Sequence, residues 1–218
     1  MKKTTVVFDL DGTLLDTLQD LANAVNYALE HQGMPKRTLE EVRQFVGNGV
    51  RLLMIRAVPD GESNPLFEET FAFFKEYYGE HCNDNTKPYA GVVELIETLK
   101  KKGYAVAIVS NKIDFAVKEL NDLYFKGIDP VAIGEKEGIR RKPAPDTVFE
   151  ALKELGKTKE EAVYVGDSDV DIETAKNAGM PCVSVLWGFR DKEFLAEHGA
   201  EYYAETAEDV LRYIKEMK

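Results

Sequence analysis

Short apolar runs alternate with stretches of helical period along most of the chain, and acids or glycines close them. Residues 4–8 are β-rich, apolar and brief, and end at Asp9, which predicts a buried strand. Residues 104–109, 131–133, 162–165 and 182–186 repeat that pattern. Helical spacing fills the intervals at 92–102, 115–123, 146–155 and 171–178, with Gly103, Gly156 and Gly179 placed as C-terminal stops. Thr206 and Asp209 are spaced as a capping box for a last helix.

Residues 16–86 read differently. Leu18, Leu21, Ala22, Val25, Ala28 and Leu29 lie on one helical stripe that Gly33 stops, and Thr17 and Asp20 have capping-box spacing ahead of it. Thr38 and Glu41 open another helix, and Gly47-Asn48-Gly49 precedes a third over 50–58. Phe67, Phe71, Phe74 and Tyr78 put aromatics on one side of a fourth, over 67–82. No strand pattern appears in this stretch. Strands alternating with helices elsewhere predict an α/β fold, a parallel sheet with helices on both faces. The expected organisation is therefore an α/β core from 1–15 plus 87–218, with a helical insert at 16–86.

Composition narrows the partners. The 218 residues carry a net charge of −11, which argues against nucleic acid and anionic membrane surfaces, since both need clustered Lys and Arg. A small anionic substrate then requires local cations that outweigh the global field. Cys82 and Cys182 form no CxxC, so neither a metal cluster nor a disulfide framework is expected. The apolar run after the two N-terminal lysines is too short for a signal peptide, and no stretch reaches the roughly 18–20 apolar residues of a membrane span. The expectation is a cytoplasmic protein.

The chemistry gathers at strand ends. Asp9 and Asp11 follow the first strand, two apart and so on one side of an extended chain, where ligands bind in open α/β sheets. Held close, two such anions repel unless a cation lies between them or one stays protonated; a solvated Asp-Gly turn is the bland alternative. Ser110 ends the next core strand, Lys142 precedes two prolines in RRKPAPD, and Asp167, Asp169 and Asp171 follow a further strand. Acids alone suit a divalent cation; acids with a lysine and a hydroxyl suit a cation and a phosphate together. Neither aspartate cluster has the positions of an EF-hand loop, and no GK[ST] follows Gly47-Asn48-Gly49 as a P-loop would require.

FDLDGTLLDT, VSN, KPAPD and VGDSDVD, in this order, resemble the four motifs of the haloacid-dehalogenase-like (HAD) phosphatases. FVGNGVR, KPYAGVVELIETLKKKGYAVAIVSNK and VLWGFR are similar to the phosphoglycolate phosphatase branch. The resemblance implies a Rossmann-like, HAD-like parallel-sheet core with an inserted α-helical cap domain that closes over the site. It implies Asp9 as nucleophile, forming an aspartyl phosphate, and Asp11 as general acid and then base, which calls for a carboxyl that holds a proton. Mg²⁺ would bridge Asp9, the backbone carbonyl of Asp11 and Asp167. Ser110, Asn111 and Lys142 would hold phosphate oxygens, with backbone N–H groups around Gly12 and Asn111 adding donors. Asp171 would orient Lys142 or a metal-bound water, while Asp169 reads as a solvated acid at a helix start.

Arg51 is a candidate for a substrate carboxylate, against the reading of a surface arginine. His31, His81 and His198 share no metal spacing. Trp187 either packs near the site or covers the sheet. The implied activity is Mg²⁺-dependent hydrolysis of a small phosphorylated metabolite, 2-phosphoglycolate foremost, by a monomer or homodimer. The alternatives are a phosphatase of other or broad specificity (sugar phosphate, nucleotide, pyrophosphate) and a β-phosphoglucomutase-like phosphotransferase.

Overall fold

The computed structural model describes residues 2–217, which divide into two compact units, 2–14 with 88–217, and 15–87. In the first unit, strands β1 (Thr5–Phe8), β4 (Ala105–Ile113), β5 (Val131–Glu135), β6 (Ala162–Gly166), β7 (Cys182–Val185) and β8 (Tyr202–Ala204) form one sheet in the order β5-β4-β1-β6-β7-β8. Every pairing is parallel; Val7 lies opposite Ala107 on one side and Tyr164 on the other. β1, first in the chain, is therefore central, and the strand order turns around it. The carboxyl ends of β1, β4 and β6 meet there, which is where an open α/β sheet builds its ligand crevice.

The strands are buried on both faces, as the continuous apolar runs predict. Val7, Ala107, Val109, Ile133 and Tyr164 pack against Val148, Ala151 and Leu152 of α7 (Asp146–Leu155) and Ala175 and Ala178 of α8 (Asp169–Ala178). The alternate positions Val6, Phe8, Val106 and Ile108 are buried as well. Helix α5 (Val92–Lys101) packs on β4 and on α10 (Ala207–Glu216), and α6 (Asp114–Tyr124) on β5. The Thr206–Asp209 capping box is present at the start of α10. Helix α9 (Lys192–Glu197) and strand β8 are additions to the predicted elements: one is too short for a clear helical period, the other for a clear alternation. Helix α8 starts at Asp169 rather than 171, because Ser168 caps it by accepting from the Asp171 N–H.

β4 runs past its expected end at 109 to Ile113. Its pairing with β5 slips there: Val109 faces Ile133 and Ile113 faces Glu135, so β4 spends extra residues over the same stretch of β5. Bulges of this kind re-aim side chains and are common beside active sites.

In the second unit, α1 (Leu18–His31) packs along α4 (Phe67–His81), with α2 (Leu39–Phe45) and α3 (Val50–Ala57) completing the bundle. Leu21, Ala22, Val25, Ala28 and Leu29 are buried on α1, and Phe67, Phe71, Phe74 and Tyr78 stack in succession along α4 at 6.1, 6.3 and 5.4 Å between ring centroids. The Thr38–Glu41 capping box forms. Two expectations change here. The stretch is not purely helical, since Leu15–Asp16 (β2) is a short strand that pairs with β3 (Lys87–Pro88). Asp20 does not complete a capping box with Thr17; its carboxylate is buried and accepts from the N–H groups of Asn85 and Thr86, the Asn85 amide and the Thr86 hydroxyl, all at 2.8–3.0 Å. Among the described residues no helix is long and apolar enough to cross a membrane.

Candidate active site

β1 ends at Phe8, and Asp9 follows with its N–H bonded to the Val165 carbonyl at 2.9 Å, so the sheet ladder itself holds the Asp9 backbone. The Asp9 side chain meets Lys142, whose Nζ lies 2.7 Å from Oδ1. Lys142 is buried and shared: Asp171 Oδ1 is 2.8 Å away and the Tyr164 hydroxyl 3.1 Å. Tyr164 in turn donates to Asp171 Oδ1 at 3.0 Å. Asn111 clamps the Lys142 backbone from both sides, accepting its N–H at 2.8 Å and donating to its carbonyl at 3.0 Å. Its amide, expected beside phosphate, thus also holds the lysine's backbone, which needs partners because it is buried.

Asp167 is buried at the end of β6, the strand beside β1. Its Oδ1 accepts from the Thr13 hydroxyl at 3.2 Å and its Oδ2 from the Phe189 N–H at 2.7 Å. Two glycines make room for it. Gly12 has φ +86°, and a Cβ there would come 2.4 Å from Asp167 Oδ2; a Cβ on Gly188 would come 2.3 Å from the Asp167 Cβ and 2.5 Å from the Gly12 carbonyl. The loop carrying Gly188 and Phe189 also brings Trp187, whose indole N–H donates to the Thr13 carbonyl at 3.0 Å.

Asp11 stands apart from this buried set. Its Oδ1 pairs with Lys112 at 3.0 Å and its Oδ2 accepts from the Ser110 hydroxyl at 3.4 Å. Ser110, expected on phosphate, also accepts the Lys112 N–H at 3.1 Å. Lys112 went unread because a lysine at a strand end reads as solvated. Tyr164, Thr13, Gly188 and the Phe189 N–H were also missed; of these, only Tyr164, a polar group inside an apolar run, left a signal in the sequence. Asp169 is half-exposed and pairs with Arg190 at 3.8 Å. Arg51, in the other unit, is half-buried, pairs with Glu62 and Glu68, and lies over the rings of Phe67 and Phe71. None of the three histidines joins the site: His31 lies against Tyr27 and Phe73, His81 against Tyr77 and Asp84, and His198 against Phe194.

Burial sets the electrostatics. It raises the Asp9 carboxyl well above the usual range; the Asp171 and Asp167 charges add to this and Lys142 opposes it. Burial, with Asp171, pushes Asp167 up to about 7, against the pull of the Phe189 N–H, Arg190 and Lys142. Burial would lower Lys142, but Asp171 and Asp9 outweigh it and hold the ammonium above the ordinary lysine value. Four carboxyls, those of Asp9, Asp11, Asp167 and Asp171, thus share the site with two lysines, Lys112 and Lys142.

Asp9, Asp167 and Asp171 can each offer a carboxylate oxygen within 4.8 Å of the others, a hard-oxygen set that fits a divalent cation. Asp171 is already saturated: besides Lys142 and Tyr164, it accepts from the Ser168 hydroxyl at 2.6 Å and from the N–H groups of Asp167 and Ser168 at 3.2 Å. Asp9 and Asp167, whose carboxyls burial disfavours as anions, are the pair left for a cation.

Residues 6–185 match the haloacid dehalogenase-like hydrolase family. The chain is 36% identical over 185 residues to phosphoglycolate phosphatase of Aquifex aeolicus, covering 84% of this chain and 85% of that one. It is 35% identical over 216 residues to phosphoglycolate phosphatase 1 of Pseudomonas aeruginosa, covering 94% and 78%. A crystal structure from Lactobacillus delbrueckii subsp. bulgaricus superposes with a TM-score of 0.95 at 38% identity over the full length of both chains. The chain therefore belongs to the haloacid dehalogenase-like hydrolases.

Proposed function

We propose that this hydrolase is a phosphatase of small phosphomonoesters, with 2-phosphoglycolate its preferred substrate, and that residues 15–87 serve as its cap. The observation that carries the reading is the buried Asp9–Lys142–Asp171 chain with Asp167 beside it. It presents one nucleophilic oxygen next to a fixed cation at the crevice of the sheet. The names of the relatives support the substrate.

Asp9 attacks phosphorus in line, a bond forms between its carboxylate oxygen and phosphorus, and the bond to the ester oxygen breaks. Asp11 gives its proton to the departing oxygen. Asp11, now a carboxylate, then takes a proton from the water that attacks the aspartyl phosphate, and Asp9 is released. Such proton transfer is worth about 10²–10⁴-fold. Lys142, the Ser110 hydroxyl and the backbone N–H groups near Gly12 and Asn111 hold the phosphoryl oxygens. Asp171 and Tyr164 keep Lys142 turned to Asp9. Asp9, Asp167 and the Asp11 carbonyl are the groups that would hold Mg²⁺, which when bound neutralises the carboxylates and the charge on the transferring phosphoryl group.

The test is phosphate release with Mg²⁺ across 2-phosphoglycolate, sugar phosphates, nucleotides, pyridoxal phosphate and pyrophosphate. The expected result is a kcat/KM for 2-phosphoglycolate at least about tenfold above the rest, a difference of roughly 1.4 kcal/mol in transition-state binding. A flat profile or a different maximum overturns the substrate; an isomerised sugar phosphate without free phosphate overturns hydrolysis itself.

A further inference from the structure

The end of β4 inverts the usual burial preference. Ile113 is 54% exposed while its neighbour Lys112 is 7% exposed. Lysine is among the residues least often buried, and removing an ammonium from water costs several kcal/mol unless a partner offsets it. A lysine at a strand end that already reaches the surface has an easy path to solvent. Here the slipped pairing of β4 against β5, between Val109 and Ile113, accompanies the opposite choice. The ammonium turns inward to Asp11 Oδ1 at 3.0 Å, and the same stretch supplies the Ser110 hydroxyl to Asp11 Oδ2. The Lys112 N–H bonds to the Ser110 Oγ at 3.1 Å, tying the two donors together.

Both oxygens of one carboxylate are thereby held from one strand. A carboxylate on a turn after β1 has two soft side-chain torsions of its own, so its direction is set by what grips it. We propose that Lys112 is the positioning residue for Asp11: with Ser110 it sets where the Asp11 carboxyl stands against the ester oxygen of the substrate. The inference rests on the reading of Asp11 as the general acid, and it gives Lys112 no bond to make or break. The proton moves to the leaving oxygen from the Asp11 oxygen that Lys112 does not grip, and the lysine only holds the donor in place.

The test separates leaving groups. Glycolate leaves as a poor alkoxide and needs the proton; p-nitrophenolate leaves well without it. kcat/KM reports the steps through phosphoenzyme formation, so it is read for both substrates in wild type, Lys112→Met, Lys112→Arg and Asp11→Asn. Lys112→Met is expected to lower kcat/KM on 2-phosphoglycolate by on the order of 10–100-fold, the scale of an ångström-sized misplacement, and on p-nitrophenyl phosphate by less than about threefold. Lys112→Arg, which keeps the charge and shifts its reach, recovers part of the loss and covers the case in which the methionine variant fails to fold. Equal falls on both substrates in the Lys112 variants, with Asp11→Asn still selective for 2-phosphoglycolate, would overturn the positioning role alone. An Asp11→Asn variant that loses both activities equally would overturn Asp11 as the acid, and the role of Lys112 with it.

Discussion

Lys142 Nζ lies 2.7 Å from Asp9 Oδ1, with both side chains buried. Neither group could stay charged there alone. Taking one partner from a buried pair leaves an uncompensated charge and typically costs about 3–5 kcal/mol. Lys142→Met should accordingly lower the free energy of unfolding by about 3 kcal/mol, read by urea denaturation at neutral pH, and abolish phosphate release. A variant as stable as wild type would mean that Asp9 and Asp171 do not depend on this cation.

Asp9→Asn separates chemistry from folding. The amide matches the carboxylate in shape, cannot attack phosphorus, and removes one of the buried acids that repel Asp167 and Asp171. Turnover should fall by at least roughly 10⁴-fold, as nucleophile deletions do, while thermal unfolding stays within a few degrees of wild type. Residual turnover within a hundredfold of wild type would point to another nucleophile.

What the sequence disclosed follows the range of each interaction. Asp9 and Asp167 were legible because a strand end is a local pattern, and strand ends converge in any parallel sheet. Asp20 misled because its spacing to Thr17 is equally local, while its actual partners, Asn85 and Thr86, come from the far end of the insert. Lys112 was hidden because its burial depends on the pairing of β4 with β5, which no single-strand pattern records. Asn111 was placed at the right strand end, but its amide goes to the Lys142 backbone, a contact made across the fold.

Arg51 illustrates the same limit. Its guanidinium is 2.9 Å from Glu62 and also pairs with Glu68, so a substrate carboxylate would have to displace two anions already in place. Exposed pairs of this kind are weak supports, and their loss should disturb little. Arg51→Ala is expected to change kcat/KM for 2-phosphoglycolate by less than about threefold, since single exposed pairs carry little energy. A tenfold or greater drop confined to carboxylate-bearing substrates would give Arg51 a part in recognition after all.

Gly188 should prove as demanding as an acid. A methyl group there would sit 2.3 Å from the Asp167 Cβ and 2.5 Å from the Gly12 carbonyl, and one of those neighbours is backbone. The loop must shift, taking with it the Phe189 N–H that holds Asp167 at 2.7 Å. Gly188→Ala is expected to lower kcat/KM by about a hundredfold, the usual cost of an ångström-sized displacement near the chemistry, and to weaken Mg²⁺ activation in a titration. Unchanged activation would show that Asp167 is held by other contacts.

The acids also predict how stability without metal depends on pH. A carboxyl whose value is raised by folding favours the folded state while it holds its proton. Its contribution is complete below the ordinary carboxyl value near 3.8 and is lost as pH climbs through the folded value, about 7 for Asp167. Asp9 shifts in the same direction, for the same reason of burial among like charges. Protein stripped with EDTA should therefore melt at a progressively lower temperature between pH 5.5 and 8. A divalent cation competes with those protons, so the rise in melting temperature on adding Mg²⁺ should be larger at pH 8 than at pH 5.5. Melting curves at both pH values, with EDTA and with Mg²⁺, give the answer directly. A metal-free melting temperature that stays level or rises toward pH 8 would mean that Asp9 and Asp167 are not the strained acids of the site, and that a cation is held elsewhere.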